Sequence, residues 1–130
     1  MLFRSKAWLP ALLWAGFIFG LSSMSHPPQP GPDFPLKDKA AHWTLYCALA
    51  WLVARALRRG HGLTLWHTFA LSILLASAYG VSDEFHQRFV PHRTCDPADW
   101  VADTLGATAA AAAFLAYETR RSEKTNRQPA

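Results

Sequence analysis

Long apolar runs alternate with short, crowded polar ones along this chain. No charged residue falls between Ala7 and Ser25, between Gly60 and Ser82, or between Thr104 and Tyr117. A helix needs about 20 apolar residues to cross a hydrocarbon core of about 30 Å, with some shortfall tolerated where polar ends reach the interface. The pattern therefore predicts an all-α, polytopic membrane bundle of four transmembrane helices at about 7–24, 40–57, 63–85 and 98–117. The second is the least uniform, but His42 and Arg55 sit near its two ends, where polar side chains can snorkel. Between the helices, HPPQPGPDFP (His26 to Pro35) reads as an extended connection and RALRRGHG (Arg55 to Gly62) as a tight basic turn. The membrane domain is expected to occupy 1–118, and the polar residues 119–130 to form a disordered tail.

Charge gives the predicted bundle an orientation. Nine of the thirteen basic residues (Arg4, Lys6, Arg55, Arg58, Arg59, Arg120, Arg121, Lys124 and Arg127) fall on one side, which places both termini in the cytoplasm. The other side keeps Lys37, Lys39, Arg88 and Arg93 but takes seven of the nine acids. The net charge of +4 is thus topological, and with no aromatic-interleaved basic strip it does not point to nucleic acid. Trp8 and Trp66 fall near the inner interface, Trp43 and Trp100 near the outer one, as an aromatic belt would. A cleaved leader is the alternative for the first segment, but its small-residue pattern around Leu21 to Ser25 is poor and favours a retained anchor. Cys47 and Cys95 are expected to stay unpaired, one inside a span and one in an outer loop.

The candidate chemistry gathers at the outer ends of three helices. YGVSDEFHQRFVPHRTCDPADWVADTLG, Tyr79 to Gly106, holds Asp83, Glu84, Asp96, Asp99 and Asp103. Asp96, Pro97, Ala98 and Asp99 fit the N-cap and first turn of the fourth helix. Asp103 lies a turn deeper, where no cap is left to make, so it should face protein or water. On the second helix Asp38, His42 and Tyr46 form an i, i+4, i+8 stripe with Lys39 beside it. Lys39 at a helix start and Asp83 and Glu84 at a helix end oppose their own dipoles, which suggests that Lys39 meets Asp83 or Glu84 across the bundle. Arg93 supplies a fork for phosphate or carboxylate, and Gln87 follows Glu84 at helical spacing. None of the familiar soluble-enzyme motifs is present.

These residues resemble the VanZ-like family of bacterial integral membrane proteins, known for lowered susceptibility to the glycopeptide antibiotic teicoplanin. The resemblance covers Asp38 to Gly106 and rests on DKAAHWTLY, on YGVSDEFHQ with its ExxQ core, on the Arg of VPHRT, and on DWVADTLG. It marks Asp38, Lys39, His42, Glu84, Gln87, Arg93, Asp99, Asp103 and Gly106 as the family's positions, and implies a multi-pass protein of the bacterial inner membrane acting at the cell envelope. The family's last motif usually reads DxxxN. Here Asp103 stands at the Asn position, which exchanges an amide for a proton acceptor or metal ligand.

The expected function is a pocket on the extracytoplasmic side that binds or processes an anionic or lipid-linked head group, with an effect on glycopeptide susceptibility. Lys39 and Arg93 would hold the anion, Glu84 or Asp103 would act as base with His42 as relay, and Gln87, Asp38, Asp99 and Tyr46 would line the site. A divalent cation among Asp99, Asp103 and Glu84 is left open. Two alternatives remain: a non-catalytic membrane protein that binds and shields an envelope target, and a small proton or cation carrier. The carrier is disfavoured because no acid continues the path below Asp103 within the fourth span. Membrane lipids or a lipid-linked envelope precursor are the expected partners. Four spans enclose little, which leaves a homodimer through the Ala-rich fourth helix as an alternative to a monomer.

Overall fold

The computed structural model describes residues 2–29 and 31–127, with side chains in the first helix from residue 6 onward. The expectations placed on the Arg4 side chain, on Pro30 and on 128–130 lie outside that range. The described residues form four helices and no strand: α1 Leu2–Ser22, α2 Lys37–His61, α3 Leu65–Gln87 and α4 Pro97–Asn126. Their ends are chemically marked. Gly62, at φ 66°, closes α2 by donating its N–H to the carbonyls of Arg58 and Leu57, and Thr64 caps α3 by accepting from His67 N–H. Asp96 caps α4 through the Ala98 N–H with Pro97 following, as the sequence predicts.

The second helix is the centre of the bundle and packs against the other three, most extensively against α4. Its buried positions, from His42 and Tyr46 through Leu49, Ala50, Val53 and Ala54 to Leu57, recur at three- and four-residue spacing. Small residues of α4 lie against it: Ala107, Ala110 and Ala111 are buried together with Phe114. The closest approach is at Gly106, where a Cβ would come within 2.3 Å of the Trp43 carbonyl oxygen. Only glycine admits the crossing there, and the Cys47 thiol donates to the Gly106 carbonyl at 3.1 Å. α1 is clipped on by the Trp14 indole N–H to the Leu45 carbonyl (2.9 Å) and by the Tyr79 hydroxyl to the Ala15 carbonyl (2.7 Å). Both cysteines are free.

At the other end, Glu118 is buried beside Arg58 (3.7 Å) and Arg121 (3.5 Å). α4 continues as helix to Asn126, through a segment whose polarity suggested disorder. Arg, Glu and Lys are good helix formers, and the Glu118 pairs hold the start of this extension.

α3 is long and apolar enough to cross a bilayer by length and composition, and only 22% of its apolar window is buried in the protein. α1 offers a shorter apolar stretch, Lys6–Ser22. Leu9, Leu12, Leu13, Phe17, Leu74, Leu75, Val81 and Phe85 are all exposed, so α1 and α3 each present a large apolar face outward.

Candidate functional site

The alternating helix directions bring the end of α1, the start of α2, the end of α3 and the start of α4 together. At the rim, the Lys39 ammonium donates to Asp96 Oδ2 and to Asp99 Oδ1 (2.5 Å), with Asp38 Oδ2 at 3.7 Å. One turn deeper, His42 Nδ1 lies 2.9 Å from Asp103 Oδ1, and His42 Nε2 lies 3.9 Å from Asp99 Oδ2. From α3, Glu84 Oε2 accepts the Asp96 backbone N–H at 2.9 Å. Gln87 donates to Asp83 Oδ2 and to Ser22 Oγ, both at 3.2 Å, tying α3 to α1.

Lys39 therefore pairs with the two acids that open α4, where the sequence suggested Asp83 or Glu84. The reason lies in the packing: α2 and α4 share the largest interface, and the α4 N-terminus brings Asp96 and Asp99 directly against the first turn of α2. Burial alone would pull the Lys39 ammonium down. Its hydrogen bonds to Asp96 and Asp99, and their charge, outweigh that and hold it well above the ordinary lysine value. Asp96 is held below the usual carboxylate range, first by the Lys39 hydrogen bond and then by the Ala98 N–H.

Beneath this rim lies an acid-rich interior. Asp83, Glu84, Asp99 and Asp103 are each at most 4% exposed. Asp83 Oδ1, Glu84 Oε1 and Asp103 Oδ2 are buried with no hydrogen-bond partner, as are Tyr46 Oη and Arg93 Nε. Buried polar atoms are seldom left so. Two sets of donors lie close enough to hold a cation, each within 4.8 Å: Asp38, His42 and Asp99, and His42, Glu84 and Asp103. Both include the imidazole, whereas the set considered from sequence was oxygen-only.

A cavity of about 60 Å³ opens beside this interior, lined by Asp38, His42, Tyr46, Asp83 and Arg93 among others. A wider apolar groove of about 700 Å³ runs between α1 and α2 from Phe17 to Phe34 and Thr44. The two share Leu21, Pro28, Gln29, Ala41 and Leu45 as walls, so groove and cavity lie side by side.

All nine candidate residues lie at this end of the molecule. His42, Glu84, Asp99 and Asp103 converge with Lys39. Tyr46, Asp38 and Arg93 face the cavity, and Gln87 acts from the side as the α1 to α3 tie. Sequence reasoning gave Asp96 only a capping role, yet it also binds Lys39 and Glu84. It read Asp83 only as a possible partner of Lys39 and left it out of the site, yet Asp83 is buried beside Glu84 and lines the cavity. It also missed Ser22, for which a lone serine gives no signal.

The VanZ/LLP1 family model matches residues 33–118, which contain every one of these candidate residues. The chain is also similar to an uncharacterized protein of Schizosaccharomyces pombe, with 32% identity over 104 residues covering 76% of this chain. It spans 59% of the length of that relative. No solved structure matches. With about two thirds of its length matched, including all nine residues proposed from the sequence, this chain belongs to the VanZ/LLP1 family.

Proposed function

We propose that this protein is a multi-pass protein of the bacterial inner membrane whose four helices all span the bilayer. In this reading, its polar pocket opens on the extracytoplasmic side and takes the anionic or lipid-linked head group of an envelope amphiphile. The observation that carries the proposal is an apolar groove of about 700 Å³ that shares five wall residues with a small cavity lined by Arg93, Tyr46, Asp83 and His42. An amphiphile needs both: a dry channel for its chain and oriented polar groups for its head. The charges that dilute α2 and α4 do not argue against spanning, because Lys39, His42, Asp99 and Asp103 face one another and not outward.

Arg93 is the anion anchor in this reading, because Lys39 is taken up by Asp96 and Asp99. Glu84 and Asp103 each keep one buried oxygen unpaired behind the His42 wall of the cavity, which suits a base, and His42 beside Asp103 suits a relay. The test is mass spectrometry of lipids that co-purify with the protein, together with lipid profiles of cells with and without it. An amphiphile retained by wild type and lost with Arg93→Ala supports the reading; the same lipids in both overturn it. A change in the cellular profile that needs Glu84 and Asp103 would mark processing, and retention without such a change would mark shielding. Glycopeptide susceptibility of the same cells tests the consequence at the envelope.

A further inference from the structure

We propose that His42, Glu84 and Asp103 form a binding site for one divalent transition-metal ion. The three residues come from α2, α3 and α4, and a ring nitrogen and one oxygen of each carboxylate lie within 4.8 Å of one another. All three are buried.

The independent observation is how the two carboxylates are held. Glu84 is fixed through Oε2 by the Asp96 N–H, whereas Asp103 Oδ1 meets His42 Nδ1 in a hydrogen bond that an ion on that nitrogen would replace. In each the other oxygen, Asp103 Oδ2 and Glu84 Oε1, is buried and has no partner. A carboxylate oriented through one oxygen, with its second left free, is how metal ligands are commonly held, and Glu84 meets that description. Gly80 completes the arrangement. A Cβ there would stand 2.9 Å from Asp103 Oδ2, so the missing side chain leaves room beside the oxygen that would bind.

Charge leads the same way. Asp83, Glu84, Asp99 and Asp103 are buried together, while Lys39 is already shared with the more exposed Asp96. Among the described residues Arg93 makes no ion pair that would offset them. An unbalanced buried carboxylate is strongly destabilising. A divalent ion at its free oxygen removes that cost. One imidazole with two carboxylates suits zinc or manganese better than calcium, which takes six to eight oxygens. Bonds of about 2.0–2.2 Å require the donor atoms to lie within about 4.4 Å of one another. Small side-chain rotations supply that contraction. Three protein ligands leave one tetrahedral position for an exchangeable ligand such as water.

The site borders the head-group cavity through His42 and does not depend on which amphiphile enters that cavity, so metal alone is the probe. Purified protein is stripped with chelator and titrated with Mn²⁺, followed by electron paramagnetic resonance, with Zn²⁺ as competitor. One saturable ion per chain is expected, with nitrogen coupling from the imidazole in the pulsed spectrum. Asp103→Asn and Glu84→Gln should each weaken binding by more than about tenfold, and Gly80→Ala should weaken it by crowding. Asp33→Asn, at an exposed position in the α1 to α2 connection, should bind as wild type does. Absence of a saturable ion, absence of nitrogen coupling in wild type, or unchanged affinity in both carboxylate variants would overturn the site. The wild-type nitrogen signal decides the matter even if a variant misfolds. Neutralisation of the acids by protons alone would appear as no binding. Failure here leaves the head-group reading standing on Arg93 and the groove; lipid loss with Arg93→Ala and intact metal binding would separate the two in the other direction.

Discussion

His42 Nδ1 and Asp103 Oδ1 meet at 2.9 Å across the α2 to α4 interface, between residues 61 apart in the chain. The contact is buried, so removing one side strands the other. Asp103→Ala should lower stability by about 1–3 kcal/mol. Asp103→Asn keeps an acceptor for the imidazole and should cost clearly less. Thermal unfolding of the purified variants in one detergent compares them, and equal losses would show that the hydrogen bond does not hold the helices together.

Gly106 lets α4 cross the Trp43 carbonyl where a Cβ would stand 2.3 Å from that oxygen. Alanine is the better helix former by about 1 kcal/mol, so propensity alone predicts that Gly106→Ala stabilises the protein. Overpacking typically costs 1–3 kcal/mol or so and here acts against backbone, which cannot swing aside. The net effect should be destabilisation, with looser packing around Cys47, whose thiol now donates to the Gly106 carbonyl. Faster reaction of Cys47 with a membrane-permeant thiol reagent in the variant is the direct check.

The rim pair has a definite pH range. Because Asp96 is depressed in the folded protein, its contribution is complete above its ordinary value of 3.8 and fades as pH falls through the folded value. Because Lys39 is raised, its contribution is complete below its ordinary value of 10.5 and fades only as pH climbs through a still higher one. The stability difference between wild type and Lys39→Met should therefore be flat between those ordinary values and shrink in acid below the lower one. Paired unfolding curves across pH would expose a slope near neutrality, which would contradict the pairing.

Sidedness gives a separate prediction. Cys95 is exposed in the α3 to α4 connection, and Ser122 is exposed on the opposite extension of α4. In the proposed orientation, an impermeant thiol reagent added to intact cells labels Cys95. Ser122→Cys, in a background where Cys95 is serine, labels only after permeabilisation. The reverse pattern would turn the pocket toward the cytoplasm and end the envelope reading.

Much of the helical frame was legible from local chemistry. Asp96 followed by Pro97 announces the start of α4, and Asp38, His42 and Tyr46 at four-residue spacing announce one wet stripe on α2. The partner of Lys39 was not legible. Dipole reasoning pointed to Asp83 and Glu84, the acids at the wrong end of α3, but a lysine reaches whichever carboxylates its neighbour presents, and that neighbour is α4. Ser22 was likewise hidden, since a serine at a helix end has many uses and only the position of Gln87 selects one.

Taken alone, the amino-acid order determined where the chain coils into helices and that acids collect at one end of them. Both follow from hydrophobic spacing and capping, which act over a few residues. It did not determine which oxygens at that end are satisfied. That depends on how deeply α4 settles against α2 at Gly106 and on the space Gly80 leaves beside Asp103. Shifts well under a turn decide whether a carboxylate meets a lysine, an imidazole or nothing, and only packing of all the helices sets shifts that small.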